Sequence, residues 1–265
     1  MRIVLIGAGR LATHLGPALK AAGHEVLQVY SRTAASAEAL AALVGAEAVT
    51  DIACVTTDAE VYICAVKDSV LPTLLPQLCK GRETALFLHT AGSVPMEVFE
   101  GHARRYGVFY PMQTFSKERK LDFSEIPLFI EADSDTTFTV VETLARSVAK
   151  NVRQLSSADR RYLHLSAVFA CNFVNHCYDL AGQLLEEHGI PFETLLPLID
   201  ETARKVHELS PRQAQTGPAV RYDENVISAQ SQLLNGLPKN IYDLLSRSIA
   251  ERCGFSKLLN SSIEK

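Results

Sequence analysis

The residues Gly7-Ala8-Gly9-Arg10-Leu11-Ala12 have the spacing G-x-G-x-x-A. Placed between a strand and a helix, that spacing suits the phosphates of a dinucleotide. Gly7 permits a tight turn, Gly9 lets a pyrophosphate approach the backbone, and Ala12 lets helix and strand pack closely. The free N–H groups of the helix start, around Ala8, Arg10 and Leu11, then face the anion. A second group follows at the end of the next strand, where a free ribose 2′-hydroxyl is usually met by an acid. This chain has Tyr30-Ser31-Arg32-Thr33 there and no acid. A guanidinium flanked by the hydroxyls of Ser31 and Thr33 suits a 2′-phosphate, so the cofactor expected is NADP(H).

Other groups fall where the far end of such a ligand would lie. Ala65, Val66 and Lys67 end an apolar run and can touch the cofactor, with Asp68 either a further contact or a helix cap. Thr90, Ala91 and Gly92 follow a later strand and predict contact near a nicotinamide, with Ser93 beyond them on the substrate side. His89, beside them, reads equally as a structural histidine. Gln113, in Tyr110-Pro111-Met112-Gln113-Thr114-Phe115, is a second substrate-side candidate. On a later helix His164, Val168, Asn172, Asn175 and His176 share one broad stripe. Hydride reduction needs a proton donor, and His164 can supply it while Asn172 orients the reacting group. A polar network in a dimer core is the other reading of that stripe. Arg221 can clamp a substrate carboxylate or pair with Asp223.

The elements that must carry these residues are legible as periodicity. Strand patterns occupy 2–6, 25–30, 61–66, 84–89, 108–110 and 127–131, and helical patterns occupy 11–22, 34–44, 69–78 and 136–149. Strands alternating with helices imply parallel pairing and a doubly wound sheet. After 155 the patterns are helical: 159–188, then 192–209, 224–235 and 240–251. Ser156 and Asp159 form a candidate capping box, and Gly189 and Pro191 a stop. The fold class expected is an α/β doubly wound sheet over 1–155, followed by an all-α domain over 156–265. The helix 159–188 is apolar nearly all round, which predicts burial on every side and hence a homodimer packed through this domain.

Composition narrows the classes. Hydrophobic residues make up 47% and charged residues 21% of the 265 residues, which fits a globular chain with a core. The net charge of −4 offers no footprint for nucleic acid or an anionic membrane. The six cysteines show no CxxC spacing, so no metal site is expected and they read as buried thiols of a reducing compartment. No apolar run reaches the roughly 18 residues of a spanning helix, and the expected location is cytoplasmic.

Taken together, GAGRLA at Gly7, HTAGS at His89, YPMQTFS at Tyr110, HLSAVFACNF at His164 and TGPAVRYD at Thr216 resemble the family called domain of unknown function 2520. That family joins a Rossmann-like domain to a helical one. It is similar in layout to ketopantoate reductase, pyrroline-5-carboxylate reductase and the β-hydroxyacid dehydrogenases. The resemblance implies an NADP(H)-dependent reductase or dehydrogenase of a small keto or hydroxy acid or imine, with a helical dimerisation domain, and brings no particular substrate. It also implies a departure. Where several β-hydroxyacid dehydrogenases carry a catalytic lysine and, four residues on, an asparagine, this chain has His164 and Val168, and no lysine lies between Lys150 and Lys205. A non-catalytic NADP(H)-sensing or partner-binding protein is therefore the alternative. The tyrosine–lysine pair of short-chain dehydrogenases is absent: no tyrosine is followed by lysine four residues later.

Overall fold

The computed structural model describes residues 1–255. Its first compact unit, Met1–Asn172, is built on an eight-stranded sheet. The elements in chain order are β1 (Arg2–Ile6), α1 (Arg10–Ala21), β2 (Glu25–Tyr30), α2 (Ala34–Val44), β3 (Glu47–Val49), β4 (Val61–Cys64) and α3 (Leu71–Cys79). There follow β5 (Leu86–His89), β6 (Arg105–Pro111), β7 (Leu128–Ala132), α4 (Asp135–Val148), β8 (Val152–Gln154) and α5 (Ser157–Ala167). The strand order is β3-β2-β1-β4-β5-β6-β7-β8.

Central strands such as IVLI in β1 and VYIC in β4 are apolar at every position because both sheet faces are covered. Alternate residues of β1 go to opposite faces. Ile3 and Leu5 pack with α1, α2 and α4, whereas Val4 and Ile6 pack with α3. Register then sets the working end of the sheet. Ile6 lies opposite both Tyr30 and Cys64, and Cys64 lies opposite His89. So β1, β2, β4 and β5 end level, and Gly7, Ser31, Ala65 and Thr90 emerge side by side.

The sheet departs from the expected all-parallel winding at one pair. β6 and β7 run antiparallel, because the chain between them forms no crossover helix, only the short turn Phe123–Glu125. The three-residue strands β3 and β8 escape a periodicity reading, being too short to show alternation.

The first unit also runs past the 155/156 boundary expected from the change of pattern. α5 is tied to the sheet by a buried ion pair, Arg160 Nη1 to Glu131 Oε2 at 2.8 Å. Arg160 Nη2 donates to the Val94 carbonyl at 2.6 Å, and the Ser157 hydroxyl donates to Glu131 at 2.6 Å. Ser156 caps α5, accepting from Asp159 N at 3.1 Å, while its hydroxyl donates to the Asp159 carboxylate. Removing either member of a buried pair such as Arg160–Glu131 costs about 3–5 kcal/mol, since a desolvated charge is left behind.

The helix expected over 159–188 is interrupted. A π-helical stretch, Val168–Phe173, separates α5 from α6 (Val174–Glu187) and shifts the phase of the stripe that begins at His164. The second unit begins at Phe173. Besides α6 it holds α7 (Leu196–Glu208), α8 (Pro211–Ala214), α9 (Glu224–Gln232) and α10 (Gly236–Ala250). A Ser231–Asp243–Lys239 cluster ties α9 to α10, with Ser231 donating to Asp243 at 2.7 Å and Lys239 to Asp243 at 3.0 Å. In this single chain, no residue of α6 or α7 is buried. Tyr162 and Leu198 are 70% and 63% exposed. The all-round burial expected of the long helix is therefore not supplied by the chain itself.

The cysteines divide as well. Cys64 and Cys79 are buried, whereas Cys54, Cys171, Cys177 and Cys253 are exposed, against the expectation of buried thiols throughout. Burial pushes the Cys79 thiol up to about 12. No helix among the described residues is long and apolar enough to cross a membrane.

Candidate active site

Gly7 sits at φ 113°, and a Cβ there would lie 2.5 Å from the Ala65 carbonyl oxygen. Only glycine fits a position where two strand ends come this close. Its N–H donates to the Tyr30 carbonyl at 2.8 Å, which locks the turn to the end of β2. Gly9 is the N-cap of α1 and offers no capping side chain, and the first turn of α1 holds no acid. The helix start therefore presents unclaimed N–H donors and no competing negative charge.

An open cleft of about 610 Å³ begins at this turn. Gly7, Ala8, Gly9 and Arg10 form one side, Ser31 and Arg32 a second, and Ala65, Val66 and Lys67 a third. Ser36, Thr73 and Lys117 complete the polar lining. The lining contains four cations and no carboxylate. Arg10, Arg32 and Lys67 form no ion pair among the described residues. Leu11 and Thr33 are not in the cleft lining: Leu11 packs on the core, and Thr33 stands at the N-cap position of α2 without a side-chain capping bond. Thr33 N approaches the Ser31 hydroxyl to 3.5 Å; Ser31 is half-buried and Arg32 exposed at the end of β2.

Further along the same edge of the sheet the polar side chains are bonded to one another. The Tyr110 hydroxyl lies 3.1 Å from His164 Nδ1, and the two rings meet edge to face at 6.1 Å. Gly92 makes room for this pair: a Cβ there would lie 2.5 Å from His164 Nδ1. Burial, opposed by Arg160, raises the Tyr110 phenol above its ordinary range, so it stays protonated near neutrality. Thr90 donates from its hydroxyl to the Cys64 carbonyl at 3.3 Å. Ser93 donates to Asp68, so Asp68 is not the cap of α3, which begins after Val70.

His89 proves structural. It is fully buried, stacks on Phe99 at 5.8 Å, and accepts from the Ala91 N–H at its Nδ1. Desolvation, helped by the Arg160 charge, lowers its pKa to about 3. Its work is to fix the turn that carries Thr90, Ala91 and Gly92.

The remaining candidates are less converged. Ala91 is half-buried beside Gly92. Gln113 is exposed and accepts from Thr114 N at 2.8 Å. Asn172 is exposed in the π-helical stretch and shares no hydrogen bond with His164. Arg221 belongs to the second unit, on the turn Pro218–Arg221, and forms no ion pair with Asp223, which caps α9 instead. Sequence reasoning missed Tyr110 as the partner of His164, 54 residues away, and missed Ser36, Thr73 and Lys117 in the cleft. Only Lys117 carried a readable signal, as a cation in the loop after YPMQTFS.

Residues 1–111 match the Rossmann-like domain, and residues 126–249 match the domain of unknown function 2520. A Bacteroides fragilis protein of known structure, provisionally described as an NADP oxidoreductase, is 55% identical. The match covers 94% of this chain and 98% of that one, with a TM-score of 0.90. This chain belongs to the same family. The Rossmann-like fold followed by a helical region, expected from the sequence, is thereby established. A reductive aminase from Aspergillus terreus, solved with NADPH and ethyl-5-oxohexanoate, is 17% identical over 96% of this chain and 95% of that one, with a TM-score of 0.68. A 1-pyrroline-5-carboxylate reductase from Streptococcus pyogenes is 15% identical over 100% and 95%, with a TM-score of 0.62. At those identities the likeness is one of fold. No curated protein matches the chain.

Proposed function

We propose that this protein is an NADP(H)-dependent oxidoreductase acting on a small keto or hydroxy acid or an imine. The observation that carries the reading is the cleft at the Gly7 turn, lined by cations and hydroxyls without a carboxylate. An NAD-preferring site places an acid on the ribose; here Arg32 and Ser31 stand at that strand end. The Bacteroides fragilis relative's description and the NADPH held by the Aspergillus terreus enzyme point the same way.

The cofactor assignment runs along the strand ends. Gly7, Ala8, Gly9, Arg10 and Leu11 take the pyrophosphate. Ser31, Arg32 and Thr33 take the 2′-phosphate. Ala65, Val66, Lys67, Thr90, Ala91 and Gly92 line the path toward the nicotinamide. When bound, the dihydronicotinamide supplies a hydride to a carbonyl or imine carbon. His164 supplies the matching proton to the oxygen or nitrogen, so that alcohol or amine forms. Its Nδ1 is occupied by Tyr110, which leaves Nε2 to hold or move the proton. Ser93, Gln113 and Asn172 are assigned to the substrate, and the Arg221 guanidinium is the group suited to a substrate carboxylate.

The working form we assign is a homodimer joined through the helical half. The exposed apolar surface of Tyr162, Leu165, Leu184 and Leu198 supports it, since a monomer gains nothing by leaving such side chains in water. Paired Leu184→Asp and Leu198→Asp substitutions should lower the sedimenting mass to that of one chain; an unmodified protein that sediments as a monomer refutes this assignment. Six free cysteines fit a cytoplasmic setting.

The cofactor reading is tested by titrating NADPH and NADH into the protein. NADPH should bind more tightly, and Arg32→Glu should weaken NADPH by at least about tenfold while changing NADH little, one charge-assisted contact having been lost. Equal affinity for both cofactors sinks the 2′-phosphate assignment. A broad panel of keto acids and imines that elicits no NADPH oxidation favours a sensing protein over an enzyme.

A further inference from the structure

We propose that Lys117 is a pyrophosphate ligand, carried to the cofactor cleft by a loop that His14 fastens to α1; the inference rests on the cofactor reading above. Lys117 comes from the loop after β6, outside the glycine motif and the β2 end. It lines the same cleft as Arg10, Arg32 and Lys67.

The charge balance gives the first argument. The 2′-phosphate carries about −1.5 to −2 near neutrality, and each phosphate of the pyrophosphate adds one negative charge. Four cations with no carboxylate among them match that total. With Lys117 left out, the pyrophosphate and 2′-phosphate together exceed the cations that face them.

Position decides which phosphate. Lys117 also borders the neighbouring hollow lined by Thr13, His14 and Pro17, all on the first turns of α1. It therefore stands beside the helix whose start, at Gly9 and Arg10, faces the pyrophosphate. Arg32 stands at the end of β2. The loop is held in this place from both sides. His14 Nε2 donates to the Ser116 carbonyl at 2.9 Å, one residue before Lys117. The Phe115 ring packs on the His14 ring at 5.4 Å and on Phe123 at 6.4 Å. His14 thus joins the loop to the same helix that offers its N–H groups to the anion.

The test is calorimetric titration of NADPH and NADH into the full chain and its Lys117→Ala, Lys117→Arg and His14→Ala variants. Lys117→Ala should weaken both cofactors by about the same factor, roughly tenfold, because both carry the pyrophosphate. Lys117→Arg should restore most of that loss. His14→Ala should weaken both by a smaller factor while leaving Lys117 in the chain. A loss confined to NADPH overturns the pyrophosphate assignment, and unchanged affinity for both in Lys117→Ala overturns the inference while leaving the cofactor reading intact. If the unmodified protein binds neither dinucleotide, the cofactor reading and this inference fall together. Lys117 is exposed on a loop, so circular dichroism of Lys117→Ala should match that of the unmodified protein.

Discussion

Around Gly7 and Arg10 the cations Arg10, Arg32 and Lys67 are exposed with no protein partner among the described residues, while around Gly92 the polar side chains are bonded to one another, Tyr110 with His164 and Ser93 with Asp68. The first set follows the ends of β1, β2 and β4, and the second is carried by the end of β5, by β6 and by α5. The difference matches what the proposed function asks of each. An anionic ligand supplies the missing charge in the first region, so leaving Arg10, Arg32 and Lys67 in water costs little until the ligand arrives. Proton transfer in the second region needs a ring held in one orientation, so Tyr110 and the bare Gly92 Cα fix His164 before anything binds. On the proposed function, one region serves affinity and the other turnover.

His164→Ala is the largest test of that separation. Turnover should fall by about 10²–10⁴-fold, the usual worth of a positioned acid, with NADPH affinity unchanged. Single-turnover NADPH oxidation beside a binding titration reads the two effects independently. A parallel loss of affinity would show that His164 helps to hold the cofactor, and the two regions would merge into one.

The next effect lies beneath the second region. His89 is buried and neutral, with its pKa lowered from an ordinary 6.5 to about 3. Above the ordinary value both folded and unfolded chains hold it neutral, and its contribution to stability is complete. As the pH falls below about 6.5 the unfolded chain takes up a proton that the folded chain refuses. Stability should then drop by about 1.4 kcal/mol per pH unit, continuing toward pH 3. Urea unfolding of the unmodified protein and of His89→Asn across this range measures the difference, the variant having the shallower slope by one proton. Equal slopes would mean that the turn carrying Gly92 is open to protons and not fixed in advance.

The first region was legible in the sequence and much of the second was not. Gly7, Gly9 and Ala12 announce their role because a tight turn, a close approach and a close helix contact each exclude larger side chains. Arg32 was readable because it follows the second strand, about 20 residues past the glycine motif, where an acid is usual. Tyr110 and His164 gave no such signal. Their meeting depends on where α5 docks, and that is set by Arg160 and Glu131, an ion pair across residues that no local pattern connects. The π-helical stretch at Val168–Phe173 was hidden for a similar reason: no residue in it marks which helical hydrogen-bond partner its backbone takes. The antiparallel β6–β7 pair turns on the absence of a crossover helix over 112–127, where polar, charged and proline residues break any period. The long apolar helix reads as buried because its residues are apolar on every side, whereas in the single chain no residue of α6 is buried.

A smaller effect should separate orientation from presence. Tyr110→Phe keeps the edge contact with His164 and removes only the hydroxyl. Turnover should fall about tenfold, the worth of roughly one well-placed hydrogen bond, with the Michaelis constant for NADPH unmoved. Gly92→Ala should have the same sign, since its Cβ would press on the His164 ring at Nδ1. If Tyr110→Phe leaves turnover intact, His164 is positioned by α5 alone.

The smallest effect needs no mutation. Raising the salt from about 0.1 M to about 1 M shortens the Debye length from about 10 Å to about 3 Å. Exposed cations that attract an anion across open solvent are weakened by this, so NADPH affinity should decline several-fold. The Tyr110–His164 contact is half-buried and involves no formal charge pair, and screening has little to act on there. The rate at saturating NADPH should accordingly stay within about twofold over the same range. A fall in both would place a mobile ion contact inside the proton-transfer corner. A fall in neither would mean that backbone N–H groups of the Gly9 turn, and not Arg10, Arg32 and Lys67, carry the affinity.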